Sequence, residues 1–209
     1  SELRGGLRVV EPMAHVWRGL VGTTAMGLSF TGLALLPFAE VKAIQYATPL
    51  LVVIFAAMFL GERVRAFRLT AVALGLAGVL IILSPRLGGL ESGNDRLALG
   101  AVVVLASSVC AALAQVFVRK LVVTESTNAI VFWFSVTASC LSLLTIPFGW
   151  VWPTPGEATL LVSAGLLGGV AQLFATSAYR YADVSVVAPF DYASMLLALG
   201  IGFFLFDEV

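Results

Sequence analysis

Charge is scarce in this chain. Asp, Glu, Lys and Arg supply only 11% of its 209 residues and 60% are hydrophobic, whereas soluble domains carry roughly 25% charge and about 45–50% apolar residues. A soluble protein of that composition would expose large apolar patches and aggregate. Net charge is zero and no block of five or six basic residues occurs, so nothing points to nucleic acid as a partner. Histidine is present once, as His15, which excludes an HExxH zinc site; it sits at a span edge and reads as an interfacial residue. The G-x-x-x-x-G-K-[ST] loop of ATP-coupled proteins and the G-x-S-x-G nucleophile turn are both missing. The two cysteines, Cys110 and Cys140, fall inside apolar runs, where cysteine acts as a small hydrophobe. No secretory signal is visible, because the first apolar run follows Arg4, Arg8 and Arg18 and is too long for one.

What the chain has instead is long apolar runs. A bilayer core about 30 Å thick needs about 17–25 apolar residues as helix, because unpaired backbone groups are intolerable in hydrocarbon. Seven such runs are predicted, at 15–36, 41–60, 68–84, 97–118, 127–148, 157–179 and 184–206. Short connections between them carry nearly all the charge and the Pro/Gly punctuation. Counted by alternate loops, nine of the 12 basic residues (Arg4, Arg8, Arg18, Arg63, Arg65, Arg68, Arg119, Lys120, Arg180) fall on one side. Only Lys42, Arg86 and Arg96 fall on the other. Positively charged short loops stay cytoplasmic, so the start of the chain is expected inside. Trp150 and Trp152, beside Pro153 and Pro155, then belong to an aromatic belt at the outer surface.

The runs also repeat. "GTTAMGLSFTGLALLPFAEVKAIQY" lays onto "GLLGGVAQLFATSAYRYADVSVVAP" with a constant shift of 143, so that Gly22 meets Gly165, Ala25 meets Gly168 and Ser29 meets Gln172. After each turn comes another span ending in an acidic residue, Glu62 in "FLGERV" and Glu208 in "FLFDEV". The offset is five spans, an odd number, so the copies face opposite ways. Residues 1–96 are read as a cytoplasmic loop and the last three spans of a first unit, and 97–209 as the first four spans of a second. With Ser1 in place of a methionine and Val209 just past an apolar run, the arithmetic expects a ten-span parent truncated at both ends.

The stretches "LPFAEVKAIQYATPLLVVIFAAMFLGERV", "LTAVALGLAGVLIIL" and "YRYADVSVVAPFDYASMLLALGIGFFLFDEV" resemble the drug/metabolite transporter superfamily, specifically bacterial EamA-domain transporters. The resemblance covers essentially the whole chain. It implies an all-α membrane protein, a polytopic helical bundle with seven visible spans of a ten-span inverted repeat (5+5). It further implies cytoplasmic termini, a central solute cavity, a bacterial inner-membrane location, and a structural or gating role for Glu62 and Glu208. The three missing spans are a departure that bears on transport by this segment alone.

Ionisable groups inside the bilayer are costly and usually functional. Away from span ends one is expected, Asp191, about eight residues or 12 Å into the seventh span. Pro189 just before it removes a backbone donor and disfavours helix, so the helix is read as broken beside the carboxylate, or as starting late with Asp191 as its cap. Pro49, within Gln45-Tyr46-Ala47-Thr48-Pro49, is its approximate counterpart, and half-helix ends near the midplane are where such carriers bind solute. Polar uncharged residues within spans must face protein or a cavity. The substrate-binding candidates are therefore Ser29, Gln45, Tyr46, Pro49, Gln115, Gln172, Thr176, Asp191 and Tyr192, with Pro189 grouped with Glu62 and Glu208 as gating or structural. The glycines Gly165, Gly168 and Gly169 read as a close-packing face, and Trp133 as either a packing or a cavity aromatic.

These features predict a secondary carrier of small organic metabolites or drug-like solutes working by alternating access, without cofactor or metal. A proton carried by Asp191 and passive exchange are equally compatible. A channel or receptor is the alternative; an intramembrane enzyme would need motifs, or a second buried aspartate, that the sequence lacks. The residue mix fits an amphipathic or zwitterionic solute better than a multiply charged one.

Overall fold

A computed structural model describes residues 9–87 and 95–194. Within them every regular element is helical. Helix α1 is Pro12–Leu35, α2 Phe38–Gln45, α3 Ala47–Phe55, α4 Ala66–Leu87, α5 Asp95–Thr124, α6 Thr127–Leu143, α7 Pro155–Tyr181 and α8 Val184–Val187. The stretches Glu40–Leu60, Arg96–Thr124 and Pro155–Tyr181 are each long and apolar enough to cross a membrane, and Ala66–Ile81 and Thr127–Leu143 are shorter apolar helices. The predicted seventh span and Glu208 extend outside the described residues.

The 30-residue α5 is the axial element, about 45 Å long at 1.5 Å per residue. It packs most extensively on α1 and also against α2, α3, α4, α6 and α7. Close approach of α1 to α5 requires glycine: a side chain at Gly32 would collide with Val104, and one at Gly100 would meet Leu36 at 2.8 Å. Two apolar clusters form along α5. One joins Leu36, Val41, Ile44, Ala47, Val79 and Leu83 to Ala101 and Val104; the other joins Val52, Ala56, Ile130, Tyr179, Val184 and Ala188 to Ala112, Val118, Leu121 and Val122. Residues 105–111 of α5 lie between them, and there the lining turns polar.

The second predicted span, 41–60, is not one helix. It breaks at Tyr46 (φ −66°, ψ −8°), resumes as α3, widens into a π turn over Ala56–Leu60, and ends on Gly61 at φ +67°, the left-handed region that glycine enters freely. The cause of the break is Pro49, whose ring cannot coexist with a helical carbonyl four residues back, at Gln45. The fifth span stops at Leu143 rather than 148, because Pro147 falls in a 3-10 turn, Ile146–Phe148, closed by Gly149 at φ +90°. Trp150 and Trp152 beyond it are exposed.

The helix α7 starts with a capping box. Thr154 Oγ1 accepts the Glu157 N–H while the Glu157 carboxylate accepts the Thr154 N–H. Its apolar face is uncovered. A side chain at Gly165, Gly168 or Gly169 would meet nothing within 4 Å among the described residues, so the close packing expected of them is not made within those residues; helices in lipid have no hydrophobic penalty for leaving such faces open.

Candidate functional site

A cavity of about 320 Å³ opens between α1, the α2–α3 break, α5 and the segment after α8. It lies at the polar level of α5, between the two apolar clusters. Ala25, Met26 and Ser29 line it from α1; Lys42, Gln45, Tyr46, Thr48 and Pro49 from the broken helix; Ser107 and Ala111 from α5; Asp191 and Ser194 from the last described segment.

The interruptions in two helices build this lining. After Val187 the chain tightens into a 3-10 turn over Ala188–Tyr192 with Pro189 in its first turn, as the sequence anticipates. Tyr192 donates from its hydroxyl to the Tyr46 carbonyl (2.9 Å), and the two rings pack at 5.6 Å. The hydrogen bond ties one broken segment to the other at their interruptions. Gln45 donates to Ser29 Oγ (2.6 Å) and Ser107 to the Ala25 carbonyl (2.8 Å), tying the broken helix and α5 to α1. Lys42 and Asp191 carry opposite charges into one cavity and form no ion pair with each other. Lys42 Nζ lies 5.4 Å from the centre of the Phe38 ring, a cation–π contact at the outer range of that interaction.

Of the candidate residues, Ser29, Gln45, Tyr46, Pro49 and Asp191 meet in the cavity, and Tyr192 braces it. Gln115 and Thr176 do not line it. Gln115 Oε1 accepts the Tyr179 hydroxyl (2.8 Å), one turn beyond Ala111 toward the arginine-rich end of the bundle. Thr176 is buried, with its hydroxyl unpartnered among the described residues. Gln172 is half-buried on α7 and outside the lining. Trp133 packs edge-on against Phe132. Lys42 was legible only as a loop charge in the orientation count, although it falls inside the second span. Thr48, Ser107 and Ser194 carry no signal beyond being polar residues in apolar runs.

Around the arginine-rich end the helices are tied by charge. Glu62, expected to be structural or gating, accepts the N–H groups of Val184 (3.1 Å) and Ser185 (3.2 Å), so the acidic end of one broken helix caps the start of the other. Arg119 donates to the Tyr179 carbonyl and to Asp183. His15, near the start of α1, is buried, with Nε2 3.4 Å from Glu125. That carboxylate also accepts the N–H groups of Val10 (2.6 Å) and Glu11 (3.0 Å), and Arg180 donates to the Glu125 carbonyl. Burial pushes the Glu125 carboxyl up, but the hydrogen bonds from Glu11 and Val10 and the neighbouring His15 outweigh it and hold the group below its usual 4.5.

Among the described residues no group of three or more His, Cys, Asp or Glu could hold a metal ion. An all-helical bundle with membrane-length apolar helices and a polar cavity between broken segments is the architecture of a polytopic membrane transporter. The chain belongs to the EamA-like transporter family, whose model matches residues 5–84 and 98–209. It is similar to a riboflavin transporter of Rhizobium johnstonii, with 30% identity over 88% of this chain and 59% of that protein. It is similar also to a pseudopaline exporter of Pseudomonas aeruginosa, at 31% identity over 95% of this chain and 68% of the exporter. The chain thus spans about six- to seven-tenths of these relatives. A crystal structure at 28% identity superposes with a TM-score of 0.70, covering 96% of this chain and 71% of that one. Neither the family nor these relatives are enzymes.

Proposed function

We propose that the protein is a secondary carrier that moves a small zwitterionic or amphipathic metabolite across the bacterial inner membrane by alternating access. The observation that carries this reading is the cavity between the Tyr46 and Pro189 breaks, which holds Lys42 and Asp191 unpaired. Two opposite charges that line one cavity without pairing with each other suit a solute bearing both signs. Ser29, Gln45, Thr48 and Ser107 add hydrogen-bonding groups, and Tyr46 adds an aromatic wall. The transport activities named for the two relatives, of riboflavin and of pseudopaline, support a small organic solute.

The arginine-rich end is the cytoplasmic one, since Arg63, Arg65, Arg119 and Arg180 gather there. Residues 1–96 belong to a first repeat and 97–209 to a second of a ten-span inverted repeat. The shift of 143 that lays Ser29 on Gln172 and Glu40 on Asp183 supports this pairing, with Glu208 three residues beyond the position that matches Glu62. In the conformation described, the Gln115–Tyr179 hydrogen bond and the Glu62 cap close the arginine-rich side. Asp191 is the group available to carry a proton in exchange for solute.

Reconstitution in liposomes with a panel of zwitterionic, cationic and neutral metabolites tests the reading. A carrier gives saturable uptake and counterflow for some zwitterion. Uptake linear in concentration and without counterflow would indicate a channel and contradict the proposal.

A further inference from the structure

Arg18 is only 6% exposed, yet its buried Nε has no hydrogen-bond partner among the described residues. Arginines near helix ends normally extend toward water. This one turns inward. Its guanidinium rests 4.0 Å over the Phe134 ring of α6, and its Nη1 occupies the space beside Gly22, one turn further into the bundle. A side chain at Gly22 would collide with it. Arg18, Gly22, Ala25 and Ser29 share one face of α1, and Ala25 and Ser29 line the cavity. Arg18 therefore lies about 10 Å down the same stripe. The nearby carboxylate of Glu125 is held by the Val10 and Glu11 N–H groups and by His15. Gln115, one turn beyond the cavity-lining Ala111 on α5, accepts the Tyr179 hydroxyl on that same side of the cavity.

We infer that Arg18 is a carboxylate-binding subsite on the arginine-rich side of the cavity, engaged by the anionic end of the solute once the Gln115–Tyr179 bridge opens. The inference rests on the zwitterion-carrier reading and deepens it. A desolvated guanidinium stacked on an aromatic ring, with its Nε unpartnered among the described residues, suits a planar carboxylate. In the conformation described Lys42 serves the cavity, and Arg18 replaces it when the opposite side opens.

Uptake is measured in right-side-out and inside-out vesicles holding the complete protein, using the standard amino acids and the methyl ester of each one carried. Arg18→Gln is expected to raise KM for the free acid at least tenfold from the arginine-rich face. The opposite face, and the ester at either face, keep their KM. Gly22→Ala, which leaves the charge but displaces it, shifts KM the same way and supplies the answer should Arg18→Gln not fold. An equal change at both faces, or for acid and ester alike, or no change in either variant, would overturn the subsite. Failure of every amino acid and ester to be carried by the wild type would instead strike the zwitterion-carrier reading beneath it.

Discussion

At the scale of single residues, the chemistry is set by how each charge is held. Glu125 illustrates the cost of burying one and the remedy. Its carboxylate is almost fully enclosed but is stabilised by two backbone N–H groups and His15, which keeps its acidity above normal. A group whose pKa is lower folded than unfolded contributes stability that is full above the unfolded value and is lost as pH falls through the folded one. Thermal unfolding in detergent should therefore hold between pH 7 and about 5, as far as this group is concerned, and weaken below 4.5. Glu125→Gln should lower the melting temperature at pH 7 and flatten the acid limb; an unchanged acid limb would contradict the assignment. Asp191 was legible from its place inside an apolar run. Arg18 and Lys42 were not, although both fall within predicted spans, because a basic residue near a span end ordinarily reaches water. Only the fold shows that Gly22 gives Arg18 room to turn inward.

At the scale of elements, prolines and glycines explain most of what departs from regular helix. The break at Tyr46 follows from Pro49, and its use was not legible: the Tyr46 carbonyl accepts the hydroxyl of Tyr192, distant in sequence. Tyr192→Phe should cost about 1 kcal/mol of stability and slow transport more than it weakens solute binding, read as kcat against KM. Gly32 permits the contact of α1 with Val104. Gly32→Leu should destabilise by about 1–3 kcal/mol through overpacking, measurable as a lower melting temperature, and Val104→Ala should partly restore it. The Thr-x-x-Glu start of α7 is a capping box readable from residues 154–157 alone. Its glycines could not be read, because small residues in a membrane helix serve close packing or nothing local with equal ease, and a side chain at Gly165, Gly168 or Gly169 would meet nothing among the described residues.

At the scale of the whole molecule, composition and hydropathy were enough to establish a helical membrane bundle, since hydrocarbon admits few alternatives. The cavity was only half legible, because its walls come from helices far apart in sequence, brought together by α5. The account predicts that the 149–154 turn and the 61–65 turn face opposite sides of the membrane. Single cysteines at Trp152 and Arg63, in a background with Cys110 and Cys140 replaced, should react with an impermeant maleimide from opposite faces; labelling from one face would contradict the topology. The central claim is that Asp191 and the cavity around it carry a solute by alternating access. Its most direct test is counterflow in liposomes loaded with the transported metabolite, comparing wild type with Asp191→Asn. The account predicts overshoot in the wild type and at least a tenfold loss of rate, equivalent to about 1.4 kcal/mol, in a variant with unchanged melting temperature. Overshoot of equal size in the two proteins would contradict it.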